Sequence, residues 1–398
     1  MRVLLINVDC GAGSTGRICA DLARELINRG HEAIVAYGRN CSQSDIDISF
    51  RIGNKFDVYN HVLYSRLFDR TGFASNKTTK RFIEWIKNYN PDIINIHNVH
   101  GYWINIKILF TFLKDYNKPV VWTLHDCWPF TGHCAYFDFA KCEKWKAICK
   151  NCPQKKAYPK SLFVDSSKKN YLEKKALFKN MKNLTIVTPS KWLSHLVKES
   201  FLNNHKTIVI YNGIDLKQFK PLDSSNFRNK YEIGDRKIVL GVATPWTKRK
   251  GLADFIKLSS MISNDFVVFL IGLSEEQISL LPSNVKGIKK TSSIKELAEA
   301  YSSAYVFFNP TYEDNYPTTN LEAQACGTPV ITYNTGGSVE SCPTNQVVNA
   351  GDLESVVSLL KNNKFVLSNT DFSKESMIQQ YLCLFEDLFF KYKHHYEY

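Results

Sequence analysis

Short apolar runs alternate with amphipathic stretches along this chain, and this alternation constrains the fold more than any other feature. The first half contains the runs RVLLINV, HEAIVAYG, PDIINIHN and PVVWTLHD, separated by stretches with helical periodicity. Apolar strands that alternate with helices are typical of βαβ units, which build parallel sheets. The sequence therefore predicts an α/β fold.

The alternation stops near the middle of the chain and then begins again. A polar stretch from Lys217 to Arg236 precedes a second set of apolar runs, which includes KIVLGVA, DFVVFLIG, AYVFFNP and GTPVITYN. A chain of 398 residues is long enough for two ordinary domains. We therefore predict two doubly wound, Rossmann-like domains over residues 1–217 and 218–380, followed by a C-terminal helix over 381–398.

Composition and charge narrow the classes of protein. No apolar run approaches the ~20 residues that a spanning helix needs, and the start, MRVLLINVDCGAG, resembles a first strand more than a secretion signal. We therefore expect a cytoplasmic protein. The net charge of +13 favours an anionic partner, and nucleic acid is one candidate. Dispersed lysines and the absence of a recognition motif argue against nucleic acid as a partner.

Ligands of open α/β sheets bind beyond the carboxyl ends of the strands. After the first strand, Gly11, Gly13 and Gly16 precede a helix whose amides are suited to a phosphate or a sugar hydroxyl. The spacing is not that of a dinucleotide site, so a flexible turn is an equal alternative.

A histidine and a carboxylate follow the run PVVWTL. His125 and Asp126 are suited to proton handling or to binding a hydroxyl group. A structural histidine is the alternative, and His97 and His100 also follow a strand. We interpret His125 as a functional residue because of its place at a carboxyl end.

Three cations end a strand in the second half, in the stretch GVATPWTKRKGL: Lys248, Arg249 and Lys250. They suit an anionic ligand, although a solvated turn is an alternative. The stretch YEDNYPTTNLEAQACGTPVI places a helix start at Thr318, Thr319 and Asn320, where free amides can hold a diphosphate. Glu322 is suited to accept two hydroxyl groups of a ribose. Together these groups match a nucleotide-diphospho-sugar.

Several long motifs now point to a family. They are LHDCWPFTGHC, TPSKWL, VIYNGIDLKQF, RKGL and YEDNYPTTNLEAQACGTPVITYNTGGSVE, and with the glycine loop they extend over nearly the whole chain. In these motifs the chain resembles a retaining GT-B glycosyltransferase of family four, and within it the colanic acid and O-antigen branch. The resemblance implies two Rossmann-like domains facing across a cleft, an acceptor domain and then a donor domain. It also implies that the C-terminal helix crosses back to the N-terminal domain.

The resemblance assigns the acids of the second half. The family's E-x7-E motif ends on Glu322, which in the family binds the ribose of the donor. The first acid of the motif falls on Asp314. Glu313 lies one residue earlier, so either Asp314 or Glu313 is expected to contact the donor sugar.

The resemblance also assigns the diphosphate site. The family's lysine falls on Lys250, and Pro245 occupies the position of the usual arginine, so we expect Arg249 to supply the second cation. His125 is expected against the donor sugar. The loop from Gly13 to Gly16 is expected near the diphosphate and the acceptor.

The chemistry that the resemblance implies is metal-independent transfer of a sugar with retention of its anomeric configuration. Lys250, Arg249 and helix amides would stabilise the leaving diphosphate, and His125 would orient the donor. Family frequency favours UDP as the nucleotide. The implied acceptor is a lipid-linked oligosaccharide of bacterial surface polysaccharide synthesis, at the cytoplasmic face of the inner membrane.

Other functions are open at this point. A metal-dependent transferase would use an Asp-x-Asp motif, and Asp45 and Asp47 have that spacing, which we attribute to chance because it lies in a polar stretch. A sugar-nucleotide epimerase of the same fold and a non-catalytic sugar-nucleotide-binding protein are further alternatives. Product analysis with a panel of donors distinguishes them.

The segment KFDVYNHVLYSRLFDRTGF mixes apolar and basic residues as a helix at a membrane interface does. Its apolar residues alternate with basic ones: Tyr59, Leu63, Leu67 and Phe68 with Lys55, Arg66 and Arg70. The alternative is an amphipathic helix that packs on the N-terminal domain. The segment predicts peripheral attachment to the inner membrane.

Four cysteines follow His125 at C-x7-C-x6-C-x2-C spacing: Cys134, Cys142, Cys149 and Cys152. A thiol cluster in a reduced compartment is typical of structural zinc. His133 or Cys127 could replace one thiol, and buried free cysteines are the alternative. We predict one zinc ion that stabilises a long insertion.

Overall fold

The structure is a computed structural model that describes residues Met1–Tyr396. The chain divides into two compact units, and the first contains Met1–Tyr211 together with the described residues from Met377 onward. The second unit is Asn212–Ser376. The division falls a few residues before the predicted boundary at 217. The last two residues of the predicted helix over 381–398 lie outside the described residues.

The first unit contains a seven-stranded parallel sheet with the strand order β3-β2-β1-β4-β5-β6-β7. Its strands are β1 Arg2–Asn7, β2 Glu32–Tyr37, β3 Ser49–Arg51, β4 Ile93–Ile96, β5 Val120–Thr123, β6 Leu184–Thr188 and β7 Lys206–Val209. Its helices are α1 Gly13–Asn28, α2 Lys55–Phe68, α3 Asn76–Tyr89, α4 Ile106–Asp115, α5 Ser167–Phe178 and α6 Lys191–Glu199.

Both faces of this sheet are covered, which explains why its strands are continuous apolar runs. Leu4 and Ile6 of β1 pack in one buried layer, which includes side chains of α3 and α4. Val3 and Leu5 pack in the opposite layer, which includes side chains of α1. The sheet is therefore doubly wound, as the alternation predicted.

The C-terminal helix returns to the first unit. Helix α13, which the structure describes over Lys374–Tyr396, contributes Tyr381 and Phe385 to the same buried layer as Val3 and Leu5. The Tyr381 hydroxyl also lies 3.1 Å from Thr123 Oγ1 of β5, at hydrogen-bond distance. The predicted packing of this helix on the N-terminal domain is confirmed.

The second unit contains a six-stranded parallel sheet with the order β10-β9-β8-β11-β12-β13. Its strands are β8 Lys237–Val242, β9 Phe266–Ile271, β10 Val285–Ile288, β11 Ala304–Asn309, β12 Val330–Tyr333 and β13 Val347–Val348. Its helices are α7 Ser225–Lys230, α8 Leu252–Ser259, α9 Glu275–Ser279, α10 Ile294–Ser303, α11 Thr318–Ala325 and α12 Leu353–Asn362.

This second sheet is also covered on both faces. Phe308 of β11 packs with Phe255 of α8 in one buried layer. The neighbouring Phe307 points to the opposite face and contacts Tyr301 of α10, with ring centroids 5.5 Å apart. The predicted α/β fold with two Rossmann-like sheets is therefore confirmed. Within the described residues, no helix has both the length and the apolar character needed to cross a membrane.

A buried histidine of α2 generates a testable prediction. His61 is buried, and its Nε2 accepts a hydrogen bond from the Gly72 amide at 3.1 Å, while its Nδ1 lies 2.8 Å from Ser75 Oγ. Burial lowers the pKa of His61 from 6.5 to about 3. Between these pH values the unfolded chain binds a proton that the folded chain does not bind. The contribution of His61 to stability is therefore complete above pH 6.5 and is lost as the pH falls toward 3.

We expect this histidine to steepen acid destabilisation by about 1.4 kcal/mol per pH unit. Urea unfolding of wild type and of His61→Gln at several pH values in this range measures the difference in slope. His195→Gln, at an exposed position of α6, is the matched control and should keep the wild-type slope. Equal slopes in wild type and His61→Gln would contradict the prediction.

Candidate active site

An ion pair joins two loops at the carboxyl edge of the second sheet. Strands β8 and β11 are neighbours, so the loops that follow them meet. Lys250 Nζ donates to Asp314 Oδ2 at 2.5 Å. The Lys250 side chain is 23% exposed and the Asp314 side chain 15% exposed, so the pair is largely withdrawn from water. The two residues that the sequence assigned to the donor site are therefore brought together.

The charges around Asp314 keep its carboxyl ionised. Burial acts to raise the pKa of Asp314, but Lys250 and Arg249, together with hydrogen bonds, outweigh burial and lower this pKa below its ordinary value. Arg249 also bridges the loops, because its Nη1 donates to the Glu313 carbonyl at 2.6 Å. Its own carbonyl accepts from the Tyr312 amide at 2.8 Å. Arg249 therefore helps to fix the geometry of the predicted site.

Two glycines allow the close approach of backbone that this site requires. Gly251 has φ +72°, and a Cβ atom there would lie 2.3 Å from the Pro310 carbonyl oxygen. Gly336 has φ +54°, and a Cβ atom there would lie 2.1 Å from the Asp314 carbonyl oxygen. Neither position has room for a larger residue. The glycine of RKGL thus lets its loop approach Pro310, and the first glycine of NTGGS lets its loop approach Asp314.

Helix α11 begins at Thr318, directly after this loop, and presents the amides of its first turn at the same edge. Glu322 lies one turn further, is 5% exposed, and accepts a hydrogen bond from the Tyr301 hydroxyl at 3.0 Å. Sequence reasoning did not find Tyr301. It lies three residues before strand β11, and the packing of α10 against α11 brings it to Glu322.

The side chain of Asn320 forms hydrogen bonds with buried residues inside the unit. Asn320 is fully buried, its Oδ1 accepts from Asn309 Nδ2 at 2.8 Å, and its Nδ2 donates to Ser341 Oγ at 2.9 Å. Its amide donates to the Pro317 carbonyl at 3.1 Å. Of the three residues predicted at the helix start, Asn320 therefore points its side chain inward. Thr318 and Thr319 are the first two residues of the helix.

The structure also separates the two adjacent acids of the predicted motif. Asp314 forms the ion pair with Lys250, whereas Glu313 is only 2% exposed and offers its carbonyl to Arg249 and to the Thr311 hydroxyl. The geometry favours Asp314 as the first acid. Its contact with a donor sugar stays a prediction.

In the first unit, His125 takes part in a chain of hydrogen bonds that extends into the interior. His125 Nε2 lies 2.9 Å from His97 Nδ1, and His97 Nε2 lies 2.8 Å from Asn95 Oδ1. Because a carbonyl oxygen only accepts, His97 must donate through Nε2 when it is neutral. His125 then donates through Nε2 to His97 and keeps Nδ1 unprotonated. Burial lowers the pKa of His125 to about 4, which keeps its ring neutral at pH 7.

A second histidine at the same edge was not assigned from the sequence. His100 Nε2 lies 2.8 Å from Asp126 Oδ2, and His100 Nδ1 lies 2.9 Å from the Tyr158 hydroxyl. Asp126 Oδ1 accepts from the Trp128 amide at 2.9 Å. The Asp126 carboxylate, which follows His125 in sequence, therefore orients His100 and the loop that carries Tyr158.

The predicted glycine loop is the start of helix α1. Gly13, with φ +66°, is the first residue of the helix, and Gly16 lies in its first turn against the backbone of Asp9. Asp45 of the Asp-x-Asp sequence forms an ion pair with Arg24, whose Nε donates at 2.8 Å. Asp45 is therefore part of a structural contact, which removes the support for a metal-dependent transferase.

The zinc prediction is not supported. Cys134, Cys142, Cys149 and Cys152 line one small cavity of about 20 Å³, yet across Met1–Tyr396 no group of three or more His, Cys, Asp or Glu residues is arranged to hold a metal ion. A hydrogen bond with Cys152 and burial raise the pKa of Cys134. Burial raises the pKa of Cys149 to about 11. A hydrogen bond with Cys134 lowers the pKa of Cys152 to about 7. Cys134 and Cys149 are therefore protonated at neutral pH.

Most of the chain matches two sequence profiles of glycosyltransferases. Residues 15–218 match the sequence profile described as Glycosyltransferase Family 4, and residues 236–362 match that of Glycosyl transferases group 1. The first match covers more than half of the chain. The chain belongs to glycosyltransferase family 4. The predicted resemblance is confirmed.

Two curated bacterial proteins are among the relatives of this family 4 chain. It is 28% identical to WcaC of Escherichia coli, named for colanic acid biosynthesis, over 54% of this chain and 55% of that protein. It is 27% identical to the O-antigen biosynthesis glycosyltransferase WclY of Escherichia coli, over 48% of this chain and 53% of that protein. The chain spans about half the length of the curated relatives it matches.

Solved structures share the fold of this family 4 chain. Sucrose-phosphate synthase from Thermosynechococcus elongatus matches with a TM-score of 0.67 and 17% identity, covering 98% of this chain and 99% of that one. Anabaena HepE, solved in complex with UDP, matches with a TM-score of 0.67 and 14% identity, covering 97% of this chain and 100% of that one. At this level of identity the likeness demonstrates the fold alone.

The Lys250–Asp314 pair predicts a non-additive effect on stability. Asp314→Asn should lower the free energy of unfolding by about 1–3 kcal/mol, because it leaves Lys250 largely buried without a counter-charge. The double variant Asp314→Asn with Lys250→Met should recover part of this loss. Chemical unfolding of the single and double variants measures the coupling. Strictly additive losses would contradict an energetically significant ion pair.

Proposed function

We propose that this chain transfers a sugar from a nucleotide-diphospho-sugar to a hydroxyl group of a lipid-linked saccharide, with retention of the donor's anomeric configuration. One observation carries the proposal. Lys250 and Asp314 lie in neighbouring carboxyl-edge loops of one parallel sheet, and Glu322 lies in helix α11, which begins directly after the loop that carries Asp314. A cation, helix amides and acids in this order match a diphosphate flanked by hydroxyl groups.

In the proposed complex the diphosphate lies against Lys250 and the first turn of α11. A lysine ammonium has three donors, so Lys250 can contact Asp314 and still donate to a phosphate oxygen. The amides of Thr318 and Thr319 face the other phosphate. Glu322, oriented by Tyr301, accepts the ribose hydroxyl groups. We propose UDP as the nucleotide, since HepE, which has this fold, was solved with UDP.

The proposed reaction is a displacement at the anomeric carbon without a protein nucleophile. The bond from this carbon to the diphosphate oxygen breaks, and the acceptor oxygen forms a bond on the same face of the sugar. The acceptor hydroxyl proton moves to the leaving phosphate, so no side chain of the enzyme is needed as the base. Lys250 and Arg249 stabilise the charge that develops on the diphosphate. The energetic contribution is largest in a site that excludes water, as this one does in part.

His125 orients the donor sugar in this proposal. Its ring is neutral, and the contact with His97 fixes which nitrogen carries the proton. The unprotonated Nδ1 can accept a hydrogen bond from a sugar hydroxyl. A neutral acceptor of this kind positions a hydroxyl group and does not attack carbon.

The names of relatives support the proposed acceptor. One relative, 25% identical over 46% of this chain, is an N-acetylgalactosaminyltransferase of Campylobacter jejuni whose name includes a diphospho-undecaprenol substrate. WcaC and WclY are named for colanic acid and O-antigen biosynthesis. We propose that this chain extends a saccharide on such a lipid carrier during surface polysaccharide synthesis, at the cytoplasmic face of the inner membrane.

Removal of the proposed donor contacts should reduce turnover. Lys250→Ala and Glu322→Ala should each lower kcat/KM by about 10²–10³, the usual cost of one preorganised electrostatic contact. Lys248→Ala changes an exposed lysine of the same turn and should leave kcat/KM within about threefold of wild type, as surface changes usually do. Steady-state rates with the preferred donor give these values, and wild-type rates in both active-site variants would contradict the assignment.

Donor identity and reaction class are tested together. Calorimetric titration with UDP, GDP and ADP should show tight binding of UDP and weaker binding of the others. Incubation with the matching nucleotide-sugar and a lipid-linked acceptor should give a glycosylated product whose new linkage has the donor's configuration. An inverted linkage would contradict retention. An epimerised donor without transfer, or binding without any product, would replace the proposed function with one of the two alternatives.

A further inference from the structure

Helix α2 exposes its largest apolar side chains to solvent, while its fully buried residues are polar and its Val58 packs against the core. His61 and Ser65 are its buried residues. Phe56 and Tyr59 are 70% and 65% exposed, and Leu63 is also exposed. These three residues follow the helical repeat along one face. A helix that merely packs on a domain has the opposite arrangement, because burial of the apolar face is what stabilises such a helix.

An apolar loop tip continues this face. Leu162, Phe163 and Val164 are consecutive and exposed, and Phe163 is 71% exposed. The Leu162 amide donates to the Arg66 carbonyl at 2.8 Å, which fixes the tip at the last turn of α2. We call the exposed apolar residues of this helix and tip the docking face: Phe56, Tyr59, Leu63 and Phe68 of α2 with Leu162, Phe163 and Val164.

The docking face is ordered by polar contacts beneath it. Ser161 Oγ donates to the Val164 carbonyl at 2.7 Å and closes the turn at the tip. Ser166 Oγ donates to the Phe68 carbonyl at 2.8 Å, and this bond holds the far side of the tip to the end of α2. Lys155 Nζ donates to the Phe163 carbonyl at 3.0 Å. An exposed apolar surface that is held in place this way is a built feature of the fold.

The charges around the docking face indicate which partner binds it. Residues 141–169 carry nine lysines and only two acidic residues, Glu143 and Asp165. Lys55 and Arg66 of α2 are exposed as well. Two copies of this chain docked face to face would bring these like charges together, which opposes self-association. A bilayer with anionic headgroups offers both an apolar layer and the opposite charge.

We propose that the docking face binds the surface of an anionic lipid bilayer. Phe56 and Phe163 enter the boundary between headgroups and acyl chains, and the lysines of the 141–169 segment contact the headgroups. Only the role of this binding, which is access to a lipid-linked acceptor, rests on the proposed function. The binding itself requires no donor and no catalysis.

Vesicle co-sedimentation of the full chain tests the inference. Wild type should bind vesicles that contain phosphatidylglycerol, should bind pure phosphatidylcholine vesicles weakly, and should be released as salt rises. The variant Phe56→Ser with Phe163→Ser should lose roughly a hundredfold in partitioning, about tenfold for each aromatic side chain removed from the membrane. Leu280→Ser is the matched control, since Leu280 is 75% exposed in the second unit, and it should bind as wild type does.

Three results would overturn the inference: no vesicle binding by wild type, equal binding to both vesicle types, or equal binding by wild type and the double variant. Self-association that the double variant abolishes, without vesicle binding, would assign the docking face to a second copy. Calorimetric titration with UDP on the same preparations confirms that the variants are folded. UDP binding without vesicle binding overturns this inference alone, and vesicle binding without UDP binding overturns only the proposed function.

Discussion

Parallel strand pairing is the constraint on which the rest of this structure depends. Every paired strand of both sheets runs parallel to its neighbour, so every loop that follows a strand emerges at one edge. Residues far apart in sequence therefore meet without any direct link between them. Lys250 follows β8 and Asp314 follows β11, and their ion pair is a consequence of this shared direction. In the first unit the same rule brings His97, after β4, to His125, after β5.

The order of strands and helices was readable from sequence because each strand is buried on both faces and so appears as an apolar run. The return of the C-terminal helix came only with the family resemblance, since periodicity says that a helix exists and not what it covers. The domain boundary lies a few residues before the position taken from composition. Asn212 already belongs to the second unit, although the polar stretch begins later.

Within the candidate site, motif position identified Lys250, Asp314 and Glu322, whereas their supporting residues required coordinates. Tyr301 reaches Glu322 through helix packing, and the Asn320 side chain points inward to Asn309. Such contacts depend on how each helix is rotated about its axis and how deeply its side chains are buried. The spacing of residues along the sequence does not give either quantity. The cysteine spacing misled for a similar reason: four thiols that share a cavity need not converge on one point.

The return of helix α13 has a consequence for how the chain folds during synthesis. Strand β1 is made long before helix α13, yet Val3 and Leu5 complete their buried layer only with Tyr381 and Phe385 of that helix. The second unit, Asn212–Ser376, is finished before them. Domains generally fold in the order of their synthesis. Here the order is reversed for one step: the first unit must keep an apolar surface uncovered until the second unit and the helix that follows it have been made.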